Sequence, residues 1–124
     1  MIESTVQQLI DQVIDSPVKL HLVLVFHEHS RLEASAAQIA ERTCRDIWSV
    51  TTALQELAND GALQCIGNEQ FYHYAPTVDR LEAMNRLFSY YDDPLTRDTI
   101  QRAIRESADY APFRRSSGYI FAAA

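Results

Sequence analysis

Glycine is scarce, three residues in 124, so no Gly-rich phosphate loop can be assembled. There is also no GxSxG nucleophile turn and no carboxylate pair isolated on an apolar face, and an enzyme is not expected. The only cysteines, Cys44 and Cys65, lie far apart and form no CxxC pair, which suits free thiols in a reducing cytoplasm. Long apolar runs are missing as well. The longest, Leu22 to Phe26, is five residues bracketed by His21 and His27, far short of the roughly 18 a membrane span needs. With Glu3 and no Lys or Arg before Lys19, the N-terminus is not expected to act as a secretory leader. Positive charge is in deficit: 11 Lys and Arg stand against 17 Asp and Glu, a formal charge of −6. What is present is a 47% hydrophobic fraction, enough for one domain with its own core, without disulfides or a structural metal.

Val6, Leu9, Ile10, Val13 and Ile14 recur at helical spacing and predict an amphipathic first helix ending at Asp15-Ser16-Pro17. Ser16 and Pro17 then form a cap and a first helical residue, predicting a second helix to about Glu28. Residues 18–26 also alternate like a strand, so helix and strand both remain open, with the Ser-Pro start favouring a buried helix. Arg31 to Ala34 is short enough for one β-bridge. Ser35-Ala36-Ala37-Gln38 is a capping box opening a short helix to Arg42. Asp46 caps the next, with Ile47, Val50, Ala53, Leu54, Leu57 and Ala58 inward, and Gly61 supplies a left-handed stop. Leu63–Ile66 and Phe71–Tyr74 flank Gly67 to Gln70 as a hairpin. Thr77 and Asp93 cap two further helices, and 114–124 shows no helical period.

A short strand, a capped helix, a tight turn, a second helix ending in Gly and a two-stranded hairpin follow the order of a winged helix-turn-helix. Ser35-Ala36-Ala37-Gln38-Ile39-Ala40-Glu41-Arg42 resembles the first helix of that motif in MarR-like and ArsR-like bacterial regulators. Val50 to Leu63 resembles their recognition helix running into the wing, and Val6–His27 and Phe71–Pro76 are similar to small bacterial proteins of the same fold. The expected fold is therefore mainly α with a small β-hairpin wing: a first helix over 1–15, the winged helix over 16–76, packing helices over 77–113 and a tail over 114–124.

The resemblance implies that the outward stripe of the second motif helix and its first turn enter the major groove of duplex DNA. Trp48, Ser49, Thr51, Thr52 and Gln55 are then the candidate base readers, and Arg31, Arg42 and Arg45 the phosphate partners. Against this, three basic residues between Arg31 and Tyr74 face six acidic ones, Glu33, Glu41, Asp46, Glu56, Asp60 and Glu69, the last on the hairpin tip where a DNA-binding wing carries Arg or Lys. Phosphate neutralisation supplies most non-specific affinity, so any DNA binding is expected to be weak and salt-sensitive. The alternative is a winged-helix module that binds another protein. Trp48 either folds over the helix start or stands out as an anchor, of the kind enriched in binding hot spots.

Other residues have plainer roles. His27 and His29 point apart on a helix, so with His21 and His73 they are not expected to hold a metal, and no cofactor is implied. Cys44 is expected to be a small buried turn residue. Phe71, Tyr72, Tyr74, Phe88, Tyr90, Tyr91 and Tyr110 read as core and interface rather than as a ligand cavity. Arg97, Arg102 and Arg105, among Asp92, Asp93, Asp98 and Glu106, read as a solvated face with local ion pairs. Assembly is the last expectation. The helices outside 16–76 carry apolar stripes, Val6, Leu9, Ile10, Val13, Ile14, Leu81, Leu87, Phe88, Leu95, Ile100 and Ile104, that a small domain is not expected to bury alone. In MarR-like proteins the terminal helices of two chains pack together, which implies a cytoplasmic homodimer with an apolar interface above roughly 2,000 Å².

Overall fold

Ser16 and Pro17 decide the ambiguous second segment. In the computed structural model, which describes residues 2–67 and 70–123, with side chains only as far as 110 in the last stretch, α2 spans Pro17–Glu28. The Ser16 hydroxyl accepts from the Lys19 N–H at 3.2 Å, and Pro17 has no N–H to leave orphaned. The apolar residues fall all round this helix because it is central: it packs against α4 (Ile47–Asn59) and α6 (Pro94–Ala123), with Leu22, Val23 and Phe26 fully buried. Alternation there carried no periodic information, since none of residues 18–26 is exposed.

The chain is mainly helical with a small antiparallel sheet. α1 (Ser4–Gln12) stops three residues before the expected end, yet Val13 and Ile14 stay buried because the N–H groups of both turn back onto the Leu9 carbonyl. β1 (Glu33–Ala34) leads into α3 (Ala36–Thr43), whose capping box is complete: Gln38 N–H to Ser35 Oγ at 3.3 Å, Ser35 N–H to Gln38 Oε1 at 2.9 Å. Cys44 ends α3 in the left-handed region at φ 56, and Arg45 N–H reaches back to the Ala40 carbonyl at 3.0 Å. It is exposed rather than buried, because it sits past the last turn of α3, where its thiol lies near the Glu41 carbonyl at 3.9 Å rather than in the core. β2 (Gln64–Ile66) and β3 (Phe71–His73) form the hairpin, and β1 joins its far edge to give the order β1-β3-β2, with Ala34 and Cys65 both opposite Tyr72. The expected tip residues Asn68 and Glu69 lie outside the described residues.

After the hairpin, α5 (Val78–Asp92) is fastened at its start to the end of α4, where Thr77 N–H donates to the Gly61 carbonyl at 2.9 Å. Thr77 occupies the cap position without making the side-chain bond expected of it. Asp93 does cap α6, accepting from Leu95 N–H at 2.9 Å. α6 then runs as one helix to Ala123, through the stretch expected to be a tail.

The largest correction concerns the apolar stripes. Of the residues expected to require a second chain, all except Leu81 and Leu95 are buried within this one, because α1 packs on α5 and α6 and closes their faces. Glu3 fixes that arrangement by pairing with Arg86 and accepting from Tyr90 Oη at 2.8 Å, and the Ser107 hydroxyl donates to the Ile10 carbonyl at 3.4 Å. The packing therefore does not itself require a homodimer. Val78, Leu81 and Leu95 remain exposed.

Candidate functional site

Helix α4 is held on three sides, by α3, by α2 and by the turn into β2, and leaves one face to solvent. Its first turn is set by Asp46, whose carboxylate accepts from Ser49 N–H at 2.8 Å and is held below the ordinary carboxylate range by the backbone and side-chain hydrogen bonds from Ser49. At about 100° per residue, Trp48, Thr52, Gln55 and Asn59 form one straight stripe, and all four are exposed. Trp48 is 81% exposed, so of its two readings the structure takes the outward one. Ser49 is exposed beside it, and Thr51 is half-buried toward the flank.

The wall opposite this face was not anticipated. Ser16, Val18 and Lys19 at the start of α2 stand across from Trp48, Ser49, Thr52, Ala53 and Glu56, bordering a shallow, open groove of about 370 Å³. Lys19 is buried, its Nζ 2.7 Å from Asp15 Oδ1 and 3.3 Å from Glu56 Oε2, so it ties the α1–α2 turn to α4. Glu56, expected on the outward face, is instead half-buried against Lys19. Two sequence signals bore on this: the Asp15/Lys19 spacing of four, and Lys19 as the one charge in an otherwise apolar helix face.

The three arginines separate. Arg31 and Arg42 are exposed, and Arg42 shares a cleft with Glu33 and Glu41 under β1. Arg45, half-buried in the α3–α4 turn, donates from Nε to His21 Nδ1 at 3.0 Å. That acceptor role requires a neutral ring with its proton on Nε2. Burial first, then the adjacent Arg45 charge, lowers the His21 pKa from its ordinary 6.5, against an opposing pull from Glu28. Arg45 is therefore engaged inward rather than presented with the other two. α4 itself contains no Lys or Arg.

The remaining histidines and arginines sit apart from this face. His27 stacks on Phe88 with ring centroids 3.9 Å apart and meets Tyr74 edge-on, and His73 Nε2 lies 2.8 Å from Gln64 Oε1. Among the described residues no three His, Cys, Asp or Glu side chains gather as metal ligands would. Arg102 pairs with Asp98 at 2.9 Å, while Arg97 lies over the Tyr91 ring. No helix is long and apolar enough to cross a membrane among the described residues. The chain matches no family model, no curated protein and no solved structure.

Proposed function

We propose that this chain is a winged-helix recognition module whose working surface is the outward face of α4, and that the surface binds another protein. The observation that carries the reading is Trp48, 81% exposed on a capped, rigid helix whose face bears no cation. An aromatic of this size left in water on a fixed element suits a hot-spot anchor: it contributes a large contact area and loses little entropy on binding. Duplex DNA asks for the opposite surface, a stripe of Lys and Arg matched to phosphates.

Duplex DNA remains the second reading, in which the chain is a homodimeric transcription regulator. It is favoured by exposed Ser49, Thr52 and Gln55 on α4 and by exposed Arg31 and Arg42 elsewhere in the helix-turn-helix segment. One experiment separates the two. The full chain and Trp48→Ala are compared for stable complexes with proteins of the native cell and for selection from a random duplex pool. Protein binding predicts a complex weakened about 30-fold or more by Trp48→Ala and no enriched duplex. An enriched duplex whose affinity falls steeply with salt, with the slope made shallower by about one on Arg42→Ala, would establish the DNA reading instead.

A further inference from the structure

Another cleft lies away from α4, where α2 packs on α6, with Tyr91 of α5 also lining it. It holds about 280 Å³ and is partly open to solvent, close to the small end of the ~300–1,000 Å³ range of small-molecule sites. Its floor is apolar: Leu20 and Ile104 are buried and Leu24 is half-buried. The polar groups on its wall are donors without acceptors. His21 uses Nδ1 to accept from Arg45, so its proton sits on Nε2, on the side of the ring turned away from Arg45. Tyr91 Oη accepts from Gln101 Nε2 at 3.3 Å, and among the described residues nothing accepts the proton of Tyr91 itself. Arg105 is exposed, and among the described residues its guanidinium pairs with no carboxylate. It is the one charged residue on the wall. Glu28, whose charge reaches His21, lies two turns further along α2 and does not line the cleft.

We propose that this cleft binds a small carboxylic acid, a monocarboxylate with an aromatic or branched aliphatic body. The carboxylate accepts from Arg105 and from the Tyr91 hydroxyl or His21 Nε2–H, while the body lies on Leu20, Leu24 and Ile104. A cationic ligand would meet Arg105 with like charge. A phosphate would bring a second negative charge to a wall that has no second cation, and would leave the apolar floor uncovered. No residue of the cleft borders the groove beside Trp48, so its occupant is independent of the reading of α4.

Titration of the isotope-labelled full chain at neutral pH, followed by amide NMR shifts, tests this. The probes are phenylacetate, cyclohexanecarboxylate and 4-methylpentanoate, each beside its primary amide, which keeps the shape and removes the charge. At least one acid is expected to give saturable shifts at Leu24, Gln101 and Arg105 with a Kd of about 1 mM or below, within reach of a ligand of about ten heavy atoms. The matched amide is expected to bind at least fivefold more weakly, and Arg105→Gln to cost at least fivefold, with Trp48→Ala leaving the Kd unchanged. Thermal unfolding identifies a variant that fails to fold, and the comparison of acid with amide reads the same interaction on unaltered protein. Acid and amide binding equally well, or acid binding indifferent to Arg105→Gln, would overturn the carboxylate assignment. No saturable shift from any of the three acids at about tenfold that concentration, or shifts confined to other parts of the chain, would overturn the site. Binding abolished by Trp48→Ala in a folded protein would place the acids on α4 and overturn it as well.

Discussion

Replacing Lys19 by Met removes one charge and keeps most of the side-chain volume. Nζ is 2.7 Å from Asp15 Oδ1, and the two side chains are 4% and 3% exposed, so the change strips the cation from a carboxylate that water does not reach. Breaking a buried pair from one side costs about 3–5 kcal/mol, because the remaining charge keeps its desolvation penalty. Glu56 adds little to that figure, since at 26% exposure it can turn outward. Against a total stability of about 5–15 kcal/mol for a domain of this size, the loss is a large fraction. Urea unfolding followed by circular dichroism should show the midpoint falling by about 2 M with an unchanged slope. Adding Asp15→Asn to Lys19→Met should recover most of the loss, because the buried carboxylate charge that Lys19 balanced is then gone. A single-variant loss below about 1 kcal/mol, or a double variant no more stable than the single, would refute the ion pair as the clamp holding α4 to the α1–α2 turn.

Four further outcomes follow from particular residues. His21 is held below its ordinary value of 6.5 by burial and Arg45, so the unfolded chain takes up that proton first. Stability should therefore decline as pH falls below about 6.5, and His21→Gln, which can still accept from Arg45, should remove that part of the decline in urea midpoints between pH 7.5 and 5. Gly61→Ala should cost about 2 kcal/mol by the same assay, because φ is +88° and the new Cβ would lie 3.0 Å from Thr77 Oγ1. Cys44→Gly should stabilise by about 0.5–1 kcal/mol, relieving a left-handed position at φ 56; a loss would mean that Cys44 makes a contact of more value than the strain. Tyr74→Phe should be neutral or raise the melting temperature, since its buried hydroxyl has no hydrogen-bond partner among the described residues.

Local chemistry was legible in the amino-acid order. The Ser16-Pro17 start, the Ser35–Gln38 box, the Asp46 cap and the left-handed Gly61 act over a few bonds, and each stands where its residues imply. Of the expected inward set, Val50, Ala53, Leu54 and Leu57 are buried, because a periodic stripe on a helix declares which side is covered, whereas Ile47, in the first turn where α4 overhangs its neighbours, is 40% exposed. What covers a stripe is not a local property. The apolar faces of α1, α5 and α6 looked like surface in need of a partner, and only their mutual packing shows that they close on one another. Tertiary contacts also separated residues of like type: Arg45 was drawn to His21 while Arg31 and Arg42 stayed in water, and Glu56 was drawn to Lys19 while Gln55 stayed out. The groove beside Trp48 belongs to the same class. Its two walls come from residues 29 to 40 positions apart, and a charge buried by long-range packing takes whatever counter-charge the fold brings within reach.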